Sequence, residues 1–139
     1  MEIVLYFVSM GSSATFQTRS IQEHSDAALV AKAALRAAAR LGIANKEMAR
    51  IIGVSEATVS RMGSGAYSLA ASPKAFELAL LFVRLYRSLD SIVGGDRAVA
   101  QAWLRADNIA LGGVPLQRAM SIAGLTEVIA YLDARRAVA

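Results

Sequence analysis

Few side chains in this sequence could take part in covalent chemistry. His24 is the only histidine and there is no cysteine. Disulfides and thiolate–metal sites are therefore excluded, and little remains for acid–base or metal work. Asp107, Glu127 and Asp133 are scattered carboxylates that read as solvated or capping groups, with no nucleophile–base pair or metal cluster to join. The pairs Gly94-Gly95 and Gly112-Gly113 lack the lysine and the preceding strand that a phosphate loop needs. No catalytic residue, bound metal or cofactor is expected, and the chemistry to look for is recognition.

The stretch 45–65, NKEMARIIGVSEATVSRMGSG, is where recognition chemistry concentrates. It reads as two short helices joined by a tight turn. Asn45 is placed to cap the first, with Met48, Ala49 and Ile52 facing inward. Gly53 ends that helix in a left-handed conformation, and Val54 packs behind the turn. Ser55 caps the second helix, and Glu56 favours its positive end. Val59 and Met62 form its inner face, and Gly63 and Gly65 end it. Ala49 lies four residues before the turn glycine and Val59 six after it, so a small side chain sits where the helices cross. This is the helix-turn-helix arrangement, whose second helix enters the major groove of DNA. Lys46, Ser55, Thr58, Ser60, Arg61 and Ser64 are the candidate DNA contacts. The bland alternative is a helical hairpin that touches no DNA.

Charge agrees with that placement. The chain carries +4, from 15 basic and 11 acidic residues. Between Val30 and Ser64, Lys32, Arg36, Arg40, Lys46, Arg50 and Arg61 stand against Glu47 and Glu56. The whole net charge therefore lies on this segment, where phosphate binding needs it.

The elements that must position these groups read as all-α. At 139 residues, with 55% apolar residues and 6% aromatic, the chain suits one domain or two small helical units sharing a core. Ile3–Val8 is an unbroken apolar run, too short to span a bilayer and unlike a signal peptide. It suggests a short strand, an oligomer contact or an extension upstream of the true start, with Met10 as an alternative start. Exposed, it would tend to aggregate, so burial or absence is expected. Residues 1–24 form an extension, irregular from Ser12 to Glu23.

The expected units are a helix-turn-helix domain over 25–71, a connecting helix and possible dimer contact over 72–95, and a helical domain over 96–139. Ser25 should cap a helix to about Leu41 that buttresses the helix-turn-helix. Tyr67–Ala71 reads as a loop. Ser72-Pro73 should open the longest helix, ending near Ile92, with Phe76, Leu80, Val83 and Leu85 near one face. Asp96 should cap the next, which carries Trp103 as a buried anchor. Asp107–Val114 reads as a turn, Pro115–Met120 as a short helix, and the last helix follows Gly124 with Val128, Ile129 and Leu132 inward.

Trp103-Leu104, Asn108, Leu111-Gly112-Gly113-Val114-Pro115-Leu116 and Gly124 form a series that, behind the helix-turn-helix, resembles the Xre/MbcA/ParS family of bacterial antitoxins. The resemblance covers about 41–136. It departs after Pro-Leu, where a leucine-rich continuation is replaced by Gln117-Arg118-Ala119-Met120. It implies a cytoplasmic type II antitoxin without enzymatic activity. Such a protein neutralises a RES-domain toxin that uses NAD, and represses its own operon as a homodimer or larger toxin–antitoxin assembly. The toxin-binding candidates are Asp107, Asn108, Gly112, Gly113, Tyr131, Asp133, Arg135 and Arg136. On this reading Asp133, Arg135 and Arg136 project from the terminal helix into a toxin, and removing Tyr131–Ala139 abolishes neutralisation while sparing DNA binding. A stand-alone helix-turn-helix regulator whose C-terminal half senses a ligand or partner is the alternative.

Overall fold

The computed structural model describes residues 2–138, and side chains from residue 18 to residue 138. Seven α-helices follow one another: α1 Glu2–Arg40, α2 Asn45–Ile52, α3 Glu56–Ser64, α4 Pro73–Ile92, α5 Arg97–Arg105, α6 Pro115–Arg118 and α7 Ile122–Val138. Short 3-10 turns at Leu69–Ala71 and Ile109–Leu111 complete the regular structure. The described chain is all-α.

Helix α1 corrects the expectation for the N-terminal residues. Neither a strand at Ile3–Val8 nor an irregular Ser12–Glu23 is present, and Ser25 lies inside the helix instead of capping it. The polar stretch stays helical through contacts one turn apart. Arg19 pairs with Glu23, Gln22 donates to Asp26, and His24 bonds to the Ser20 carbonyl. Such spacings support a helix where apolar periodicity is missing. Burial of the Ile3–Val8 side chains lies outside the described residues.

From Ala27 onward α1 buries a stripe of small residues, Ala27, Ala31, Ala34 and Ala38, and Leu41 is buried just past its end. Side chains this short let neighbouring backbones approach closely. Helix α1 packs on α4 and on the 3-10 turn Leu69–Ala71 just before it. Helix α4 is the centre of the molecule, in contact with α1, α2, α5 and α7. Ser72 caps it by accepting from the Ala75 amide, and Pro73 occupies its first position. Phe82, Leu85 and Leu89 are fully buried along it, but Leu80 is 44% exposed. Leu80 was expected on the packed face; even a helix packed on several sides keeps one solvent strip, and Leu80 shares it with Arg84 and Arg87.

Two other expectations shift slightly. The segment Tyr67–Ala71 contains a 3-10 turn whose Leu69 is fully buried. Helix α6 stops at Arg118, two residues short of Met120. The end of α4 near Ile92, the Asp96 cap of α5 and the inward set Val128, Ile129 and Leu132 are as read.

Candidate nucleic-acid and partner interfaces

The helix-turn-helix is built by local chemistry. Helix α2 starts after Ala44, so Asn45 is its first residue and not its cap. Alanine has no oxygen to offer; instead Glu47 reaches back and accepts from the Ala44 amide at 3.0 Å, half of a capping box. Gly53 takes φ +73°, the left-handed turn that closes α2. Ser55 Oγ accepts from the Thr58 amide at 3.1 Å and caps α3. Met48, Ala49, Ile51 and Ile52 of α2 are buried with Val59 and Met62 of α3. Gly63 stays inside α3, and Gly65 alone ends it in the left-handed region.

The candidate DNA contacts divide on this frame. Lys46, Ser60, Arg61 and Ser64 are exposed, and Arg61 has no ion-pair partner among the described residues. Thr58 is half-buried, and its hydroxyl shares a 2.8 Å bond with Ser55 Oγ. Ser55 and Thr58 are thus committed to holding the helix start. Ser64 Oγ donates to the Arg61 carbonyl.

The C-terminal unit is organised around a turn. The backbones of Asn108 and Gly113 exchange hydrogen bonds of 3.0 and 3.1 Å, and the Asn108 carboxamide oxygen accepts from the Leu111 amide. Gly112 sits at φ +68° between them, where a side chain would be strained. This folds Ile109 to the tip, 97% exposed. Sequence reading missed Ile109, because nothing in an Asn-Ile-Ala-Leu run tells which apolar residue the turn expels. Asp107 and Gly112 are exposed beside it, while Asn108 and Gly113 are half-covered.

Helix α7 presents two different faces. On one, Tyr131 stacks on Trp103 with ring centroids 6.1 Å apart, and the Arg135 guanidinium lies 5.0 Å from the Tyr131 centroid. Trp103, expected to be largely buried, is half-buried: it packs at the edge of the core against Tyr131, which is itself half-buried. On the other face Asp133 accepts from Ser88 at 2.8 Å and pairs with Arg84, both on α4. Its carboxylate is held below its ordinary range by the Ser88 hydroxyl and then by Arg84. The carboxylate expected to project is therefore bound within the chain. Leu132 is buried beside it, so removing Tyr131–Ala139 would also uncover α4 and is not a deletion that spares the rest.

Polar ties join the two units. Arg105 of α5 donates to both Glu47 oxygens, at 3.1 and 2.9 Å, and to the Gly42 carbonyl at 2.9 Å. Gln101 donates to the Arg40 carbonyl. Arg105 holds Glu47 below its ordinary pKa of 4.5. A depressed carboxylate pKa adds stability that is present above the unfolded value and is lost as pH falls through the folded one. Glu47→Gln should therefore flatten the loss of stability below about pH 4.5, read by urea unfolding at a series of pH values. An unchanged acid limb would remove this pair from the stability of the fold.

Two family models match the chain. The antitoxin Xre-like helix-turn-helix domain matches residues 20–84, and the antitoxin Xre/MbcA/ParS C-terminal toxin-binding domain matches residues 88–137. The chain is a type II antitoxin of the Xre-like helix-turn-helix kind. Comparison with curated proteins returned no match. Both matching domains are antitoxin domains, and the antitoxin is not an enzyme. Its DNA-binding unit carries α2 and α3, and its toxin-binding unit carries α5 to α7, with α4 running between them. Among the antitoxin's described residues, no helix is long and apolar enough to cross a membrane.

Proposed function

We propose that this antitoxin neutralises a RES-domain toxin that uses NAD and represses its own operon, acting as a dimer in the cytoplasm. One observation carries the reading: an exposed recognition helix and an exposed loop–helix surface stand on a single frame, each clear of the other. The RES partner rests on the resemblance of the Trp103-Leu104, Asn108, Leu111–Leu116 and Gly124 series to that family's antitoxins. Asp107, Asn108, Gly112, Gly113, Tyr131 and Arg135 form one toxin contact in this reading, with Ile109 as an apolar anchor, and Arg136 meets the toxin from the other side of α7. Asp133 fastens α7 to α4 and orients the contact instead of entering the toxin.

Lys46, Ser60, Arg61 and Ser64 face DNA, and Ser55 and Thr58 shape the helix that carries them. One such helix buries too little for specific binding, so a dimer on a two-fold operator is expected. Arg61→Ala should weaken operator binding by about 1–3 kcal/mol if Arg61 bonds a base edge. A gel-shift titration at fixed salt reads this, and unchanged affinity would take Arg61 out of the interface. For the partner, co-expression with the neighbouring gene should yield a complex that survives purification. A RES fold in that complex supports the reading, and a different toxin fold would overturn that part of it.

A further inference from the structure

Helices α1, α4 and α7 enclose an open groove of about 920 Å³ on which no α2 or α3 residue lies. Its floor is apolar, from Leu29, Val30 and Ala33 of α1 and Leu80 and Val83 of α4. Leu29 is 65% exposed and Leu80 44% exposed. Its walls carry Arg84, Arg87 and Arg136 against the single carboxylate of Asp133. That carboxylate is already taken by Arg84 and Ser88. Arg87 and Arg136 make no ion pair within 4 Å among the described residues and both are exposed, though Arg136 lies close enough to Asp133 to help hold its carboxylate low.

We propose that this groove docks an acidic amphipathic helix of the toxin, its apolar side on Leu29 and Leu80 and its carboxylates on Arg87 and Arg136. The proposal rests on the antitoxin reading and extends the toxin contact beyond the C-terminal unit, onto α1 and α4. Charge selects the occupant. In a two-fold contact the same patch would face itself, so the free charges brought together would all be arginines, and like charges in a contact are costly. An apolar ridge flanked by carboxylates satisfies both the floor and the walls, as in other helix-in-groove contacts. Because the groove excludes α2 and α3, its occupation leaves the recognition helix open. Toxin and operator can then be held at once.

Two variants of the full chain test this. Arg87→Glu with Arg136→Glu reverses the walls, and Leu80→Asp charges the floor. All three positions are exposed, so folding should persist, and a thermal melt by circular dichroism checks it. The first probe is a synthetic helical peptide with leucine on one face and glutamate on the other, titrated into methyl-labelled antitoxin. Shifts at Leu29, Val30, Leu80 and Val83 are expected, with affinity lowered at least about tenfold in both variants. A peptide carrying lysine for glutamate should not bind. The second probe is the co-purified neighbouring gene product, whose affinity should fall similarly, with the wall variant losing mainly association rate at low salt. Peptide shifts elsewhere, or toxin affinity within about twofold of wild type in both variants, would overturn the groove while leaving the antitoxin reading intact. If the variants change only the oligomeric state of the free antitoxin, the groove belongs to a second copy and the proposal fails. If wild type binds no toxin, the antitoxin reading fails and the groove's assignment falls with it.

Discussion

Truncating Phe82 to alanine should destabilise the antitoxin by about 3–5 kcal/mol, the usual cost of deleting a large aromatic side chain from a packed core. Phe82 is 1% exposed and is among the largest fully buried side chains. It lies midway along α4, the helix in contact with α1, α2 and α7. A domain of this size is stable by only about 5–15 kcal/mol, so the loss removes a large share. Because α4 serves both units, operator binding and toxin binding should weaken together. Urea unfolding should show a lower midpoint with an unchanged slope. A loss under about 1 kcal/mol would mean that the α4 core repacks around the gap.

Gly124→Ala should have the next largest effect, and a more local one. A Cβ at Gly124 would lie 1.9 Å from the carbonyl oxygen of Arg118 and 2.7 Å from its carbon. Both are backbone atoms, so no side chain can swing away. Either α6 or the first turn of α7 must move. Forced overpacking of this kind costs about 1–3 kcal/mol and occasionally more. The damage should centre on the α6–α7 junction, where the Gly124 amide also donates to Ser121 Oγ. Toxin binding should fall further than operator binding, since α3 packs on α1 and α2, and α2 borders the junction only through the surface groove of Lys46, Glu47 and Arg50. Retention of both, with wild-type stability, would show that the junction opens at no cost.

Gly124 also marks what the sequence could and could not disclose. Its presence was legible, as one member of a spaced series. Its reason was not: it was read as the residue before the last helix, but it is the third residue of α7, packed on a carbonyl six residues earlier. The helix-turn-helix was legible almost residue by residue. Caps, a turn glycine and a 3.6-residue apolar period all act within a few positions. The stretch of α1 ahead of Ala27 was hidden because polar one-turn pairs, and no apolar stripe, carry it from Arg19 to Asp26. Leu80 misled because periodicity locates an apolar face but not where neighbouring helices end.

The ties between units were beyond reach for another reason. Glu47 and Arg105 are 58 residues apart, and Arg84 and Asp133 are 49 apart. No local pattern pairs charges at such separations; only the packing of α5 and α7 on the rest brings them together. Asp133, read as a free carboxylate, is a fastening between α7 and α4. Tyr131 and Arg135 form one surface with Trp103, and Arg136 belongs to the groove on the other side of the same helix.

The central claim is that two separate surfaces on one frame hold DNA and toxin. Growth rescue beside an operator gel shift tests it most directly, with Arg61→Ala compared against Ile109→Asp combined with Arg135→Ala. The substituted side chains are exposed, so each variant should fold. The account predicts that Arg61→Ala still rescues growth but binds the operator more weakly, and that the paired variant shifts the operator but fails to rescue. Rescue by the paired variant at wild-type level, or loss of both functions in either protein with its fold intact, would contradict it.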